Sequence, residues 1–87
     1  MNLYVGNLNF NLTEEELSQI FEEYGTVTSV KIIIDKYSGR SKGFGFVEME
    51  NDSDGEVAME NLNGKEISGR SIKVNKAVKN KRDEDRD

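Results

Sequence analysis

Apolar residues recur along this chain at two spacings, and the spacing changes where the element type changes. Leu3 and Val5 alternate with Tyr4 between Asn2 and Gly6, the two-residue period of a short strand. Leu17, Ile20, Phe21 and Tyr24 follow at i, i+3, i+4 and i+7, a single apolar stripe on a helix. Thr13 precedes that stripe with Glu16 three residues on, the form of a capping box, and Gly25 is placed to end the helix. Val27 to Ile34 is rich in β-branched residues and reads as a strand. Asp35 to Ser41, with Gly39 inside it, reads as a loop.

The second half repeats this grammar. Gly43 to Glu50 reads as a strand, and Asn51 or Asp52 caps a second helix whose stripe is Gly55, Ala58, Met59 and Leu62. A glycine costs about 1 kcal/mol relative to alanine inside a helix, so Gly55 marks a point of close packing, expected against the sheet. Asn63-Gly64 is a turn signal, and Ser71 to Ala77 supplies the last strand. The order β-α-β-β-α-β predicts an α+β fold of ferredoxin-like type: a four-stranded antiparallel sheet with two helices packed on one face. Residues 1–78 form this domain, and 79–87 is a charged tail without apolar anchors, expected to be disordered.

Two helices cover only one face of such a sheet, and strand alternation sorts the residues between the faces. Leu3, Val5, Val30, Ile32, Val47, Met49, Ile72 and Val74 share the parity of an apolar face and should meet the helix stripes. The other face then shows Tyr4, Lys31, Ile33, Phe44, Phe46, Glu48, Lys73 and Asn75. This mixture of rings, lysines, Glu and Asn is no second core. Reversing the parity would expose Val47 and Met49 and bury Glu48 unpaired, at a cost of several kcal/mol. Gly43 and Gly45 alternate with Phe44 and Phe46, so small residues lie inward, where they let a helix approach, while both rings project outward. Clustered aromatics on an open sheet flanked by lysines are a binding surface.

Composition narrows the chemistry. The 87 residues include no Cys and no His, which excludes disulfides, thiol catalysis, zinc fingers and the Ser-His-Asp triad. No apolar run approaches membrane-spanning length and no charged-then-apolar leader opens the chain, so a soluble, cytoplasmic protein is expected, or a nuclear one in a eukaryotic cell. Twelve basic against seventeen acidic residues give a net charge of −5, but ten of the twelve bases fall in two windows. Residues 31–42 hold four bases and one acid, residues 70–82 six bases and no acid, nine net positive charges in all. A molecule polarised in this way binds a polyanion despite its acidic balance, provided the windows meet in space.

Lys42-Gly43-Phe44-Gly45-Phe46-Val47-Glu48-Met49 resembles the octapeptide ribonucleoprotein motif of the RNA recognition motif family, and Leu3-Tyr4-Val5-Gly6-Asn7-Leu8 resembles its companion hexapeptide. The resemblance runs from about residue 2 to residue 77 and is nearest to the small single-domain glycine-rich, cold-inducible or bacterial members, although the glycine-rich tail is absent. The octapeptide usually ends in Phe or Tyr and ends here in Met49, a helix-facing position by parity.

The resemblance implies single-stranded RNA binding, with Tyr4 and Phe46 stacked on bases and Phe44 against the sugars. Lys42 and Arg40 stand where the phosphates should pass, Lys31 and Lys73 flank the platform, and Asn75 and Lys76 reach base edges or backbone beyond the last strand. Ile33 gives apolar contact at the rim or packs against the neighbouring loop. Glu48 accepts a hydrogen bond from a base or repels phosphate. Tyr37 stacks on RNA or is an ordinary exposed loop residue. Asn7 and Asn9 are expected to order the turn after the first strand, and Glu14, Glu15 and Glu16 to suit the helix N-terminus while facing solvent. The expected protein is a monomer with no cofactor, metal or membrane partner, binding single-stranded DNA more weakly and leaving its helix face for protein partners.

Two other classes fit less well. A protein-interaction module on the same fold commonly lacks the platform aromatics, all of which stand here. An acylphosphatase-like enzyme needs a basic phosphate-cradling loop after the first strand, and Gly6 to Leu12 holds no base. Gly43 and Gly45 do not extend to a phosphate-binding glycine pattern, because Glu48 holds the third glycine's place.

Overall fold

A computed structural model describes residues 1–77. Its elements are β1 (Asn2–Gly6), α1 (Glu14–Glu22), β2 (Val27–Ile34), β3 (Ser41–Met49), α2 (Asp52–Leu62), β4 (Glu66–Ile67), β5 (Arg70–Ser71) and β6 (Lys73–Lys76). The strands β2-β3-β1-β6 form one antiparallel sheet in that order, with the two motif strands at its centre. The tail beginning at 79 lies outside the described residues, as does residue 78 of the expected domain.

Helix α1 starts as its sequence dictates. The Thr13 amide donates to Glu16 Oε1 at 3.0 Å and the Glu16 amide donates to Thr13 Oγ1 at 3.1 Å, satisfying two end groups that the helix itself cannot pair. Its stripe buries Leu17 and Phe21 completely, with Ile20 and Tyr24 at the margin. Gly25 does not end the helix through a left-handed residue. Its role is steric, because a Cβ at residue 25 would run into the side chain of Asp54 on α2. Gly55 does mark a close approach, though to the side chain of Met1 rather than to the body of the sheet.

All eight residues assigned to the helix face lie there: seven are buried, and Val30 is half-buried toward the edge of the sheet. The core also takes Leu8 and Leu12 from the loop after β1, where no strand or helix period announces them. This loop closes the end of the core, and Leu8 donates its amide to the Gly43 carbonyl at 2.8 Å.

Two details depart from expectation. The last sheet strand covers only Lys73–Lys76, because Arg70 and Ser71 pair instead with Ile67 and Glu66 in a separate two-residue-turn hairpin. Both turn residues, Ser68 (φ 52) and Gly69 (φ 84), have positive φ, the geometry whose twist suits a tight hairpin. The small residues of β3, for their part, face strand and loop rather than helix. A Cβ at Gly45 would strike the Lys31 carbonyl of β2, and one at Gly43 would stand 3.0 Å from the Phe10 ring. Gly43 itself has φ 86, at a bulge where three residues of β3, Lys42 to Phe44, stand opposite one of β2, Ile33, between the pairs Gly45–Ile32 and Ser41–Ile34.

Candidate nucleic-acid interface

Strand register writes the open face as rows. Tyr4 of β1 pairs with Phe46 of β3 and with Asn75 of β6, and Phe46 pairs with Lys31 of β2. Asn75, Tyr4, Phe46 and Lys31 therefore cross the sheet as one continuous row. The row below begins with Lys73 opposite Gly6. The row above joins Asn2, Glu48 and Ser29. Phe44 belongs to the lower row, since its neighbour Gly45 pairs with Val5, the neighbour of Gly6.

The three rings form one cluster. Tyr4 lies 6.0 Å from Phe44 and 5.9 Å from Phe46 between ring centroids, and the two phenylalanines are 6.4 Å apart and nearly perpendicular at 89°. Tilted and edge-to-face pairs of this kind hold one another in place. Phe46 keeps 39% of its surface exposed, which an aromatic ring in a core would not. Beside it, Asn2, Ser29, Lys31 and Glu48 wall a shallow depression of about 300 Å³, so polar groups meet whatever lies next to the Phe46 ring.

The basic residues divide between two places. Lys31 and Lys73 rise from the outer strands of the platform, and Lys42 is exposed at the bulge that opens β3. Arg40 is exposed at the end of the β2–β3 loop, which Asp35 holds through amide bonds from Tyr37 and Gly39. The structure does not bring Lys76 onto the platform. It pairs with Leu3, a helix-facing residue, and so projects from the other side of the edge strand. Ile33 is half-buried in the irregular stretch of register between Ile32 and Ile34. Tyr37 is fully exposed at the loop tip.

Asn7 and Asn9 do order the loop after β1, by tying it to the small hairpin. Asn7 Nδ2 donates to the Ser71 carbonyl at 2.7 Å, and Asn9 Nδ2 donates to the Ser68 carbonyl at 3.0 Å. Asn7 Oδ1 in turn accepts from Arg70 Nε at 3.2 Å and Nη2 at 2.7 Å. Arg70 counted in the basic window, but only the hairpin places it beside this loop. Glu14 departs from the expectation that all three helix-start glutamates face solvent. Its Oε2 accepts the Ile32 amide at 2.9 Å, joining the first turn of α1 to the edge strand. Among the described residues no helix is long and apolar enough to cross a membrane, and no group of acidic side chains is disposed to hold a metal ion.

Comparison with known proteins agrees with this fold. The model of the RNA recognition motif family matches residues 3–73. RbpB of Nostoc sp. is 51% identical over 77 residues, covering 88% of this chain and 75% of RbpB. The chloroplastic RNA-binding protein CP33 of Arabidopsis thaliana is 52% identical over 73 residues, covering 84% of this chain and 22% of CP33. The crystal structure of RNA-binding protein PG1 superposes with a TM-score of 0.89 at 48% identity, over 92% of this chain and 96% of that one. The Rna15 recognition motif, solved with bound GU RNA, superposes with a TM-score of 0.81 at 29% identity, over 90% of this chain and 83% of that one. With both ribonucleoprotein motifs paired at the centre of the sheet and their rings clustered on its uncovered face, the chain belongs to the RNA recognition motif family.

Proposed function

We propose that this domain binds single-stranded RNA on the open face of its sheet, stacking one base on Tyr4 and one on Phe46. Phe44 lies against the sugars between them. Lys31, Lys42 and Lys73 meet the phosphates, and Asn75 and Glu48 meet base edges at the two sides of the platform. The observation that carries this reading is the cluster of three rings, each within about 6.4 Å of the others, on a face shared with lysines, Glu48 and Asn75. Such a face is too polar to be covered by a second layer and too aromatic to be only solvated surface.

Stacking on an aromatic side chain contributes about 1–3 kcal/mol per base, and unpaired bases are free to lie on the sheet. Two stacked bases and a few screened phosphates correspond to micromolar affinity, about −7 to −9 kcal/mol. The carboxylate of Glu48 only accepts hydrogen bonds, so a base presenting amino or imino donors suits its side of the platform.

Titrating the isotopically labelled protein with a mixed-sequence RNA octamer tests the reading directly. The amides and rings of Tyr4, Phe44 and Phe46 are expected to shift together, with α1 and α2 unmoved. Shifts confined to the helices would overturn it.

A further inference from the structure

Glu48 is the one acid among the strand residues of the open face, where every other charged residue is a lysine. A carboxylate at this place opposes the lysines in drawing phosphate to the sheet. Among the described residues it has no hydrogen-bond or ion-pair partner, although Lys31, opposite Phe46, is its diagonal neighbour across the strand pair. The backbone beneath it, by contrast, is held in place. Thr28 Oγ1 donates to the Glu48 carbonyl at 3.1 Å. Val27 pairs with Met49 and Ser29 with Glu48, so Thr28 is the extra residue of a bulge facing Glu48. A bulge interrupts the ladder and re-aims the side chains around it, and the depression of about 300 Å³ beside Phe46 lies against this one.

Asn2 stands directly opposite Glu48 on β1, and its side-chain amide is likewise without a partner among the described residues. Directly opposed residues of an antiparallel pair have Cβ atoms about 4.5–5.5 Å apart. A carboxylate and a carboxamide therefore sit side by side where the depression meets the Phe46 ring, one offering acceptors only and the other a donor.

We propose that this edge selects guanine for the base stacked on Phe46. The Glu48 carboxylate accepts the N1–H and N2–H groups of guanine together, and the Asn2 amide donates to O6. Guanine alone of the four bases carries two adjacent donors on its pairing edge. Adenine and cytosine set a ring-nitrogen acceptor beside their amino group, and uracil flanks its single imino donor with two carbonyls. Each of these three turns a lone pair toward the second carboxylate oxygen. The inference rests on the platform reading and deepens it, from single-stranded RNA to single-stranded RNA with guanine at the Phe46 position.

The test measures fluorescence anisotropy of a labelled uridine octamer and of octamers carrying one central guanosine, inosine, adenosine or cytidine in its place. Wild type is expected to bind the guanosine octamer about tenfold more tightly than the uridine octamer, the discrimination typical of one bidentate pair. The inosine octamer, whose base lacks only the N2 amino group, should fall between them. Glu48→Ala and Glu48→Gln are expected to bring the guanosine octamer to within about threefold of the uridine octamer. Both variants should hold the uridine octamer at least as tightly as wild type does, because stacking is intact and a repulsive charge is gone. That retained binding also shows the variants to be folded. Equal affinity of wild type for all the octamers, preference for another base, or a guanosine preference that survives in both variants would overturn the selectivity and leave the platform standing. Inosine bound by wild type as tightly as guanosine would overturn it as well, independently of any variant. Failure of wild type to bind any octamer would overturn both.

Discussion

The hydroxyl end of Tyr4 lies over Gly6, so close that a Cβ at residue 6 would stand 2.6 Å from the Tyr4 Oη. Gly6 is thus the floor on which the first platform ring rests, two residues along the same strand. Gly6→Ala would have to push the half-buried ring aside, a side-chain movement that leaves the strand backbone in place. The expected outcome is a protein of nearly wild-type thermal stability whose RNA affinity is several-fold weaker, since part of a stacking interaction of about 1–3 kcal/mol is lost. Thermal melting and an RNA titration check it. Unchanged affinity would show that the resting position of the Tyr4 ring is immaterial.

Gly45 presents the opposite case. There a Cβ would meet the Lys31 carbonyl and the Ile32 Cα, backbone atoms of the neighbouring strand that no side-chain rotation relieves. Gly45→Ala is expected to cost more than about 2 kcal/mol of stability, because the edge strand β2 must part from β3. Urea unfolding measures it. A variant within about 0.5 kcal/mol of wild type would mean that the sheet yields more easily than close packing allows.

The Glu14 carboxylate supports the edge strand from below through the Ile32 amide. Glu14→Ala leaves that amide without its charged acceptor and is expected to cost about 1–2 kcal/mol, whereas Glu14→Gln keeps an acceptor and loses less. Urea midpoints of the two variants report the difference. Equal stability of Glu14→Ala and wild type would contradict the bond's contribution.

Parity explains why so much of the platform is legible in the sequence. In a sheet with one covered face, the side-chain period of two assigns every strand residue once a single buried residue is known, and Leu3, Val47 and Val74 agree on the assignment. The same parity, two residues past Val74, puts Lys76 on the helix side. What the sequence could not show lies where no period operates. Phe10 stands in a loop whose course is set by Leu8, Leu12 and two asparagine side chains bonding to carbonyls about sixty residues away. Its exposure and its packing against Gly43 are properties of that closure. The hairpin at Ser68-Gly69 was hidden for a similar reason: Ser is an uncommon residue at positive φ, so Ser71 read as part of a longer final strand.

Salt should weaken RNA binding by a definite amount. If about three phosphates are neutralised on a single strand, the logarithm of the association constant falls against the logarithm of salt concentration with a slope of about −2. Replacing Lys31 or Lys73 with Gln should reduce the magnitude of that slope by about 0.7 each. Titrations at four salt concentrations measure it, and a flat dependence would remove the phosphate contacts assigned to the lysines.

The central claim is that the aromatic cluster holds the RNA. It is tested most directly by fluorescence anisotropy of a labelled, mixed-sequence RNA octamer with wild type and with the double variant Phe44→Ala/Phe46→Ala, both shown to be folded by circular dichroism. Wild type is expected to bind with micromolar affinity, and the folded double variant at least about tenfold more weakly. Equal binding by the two proteins would contradict the account.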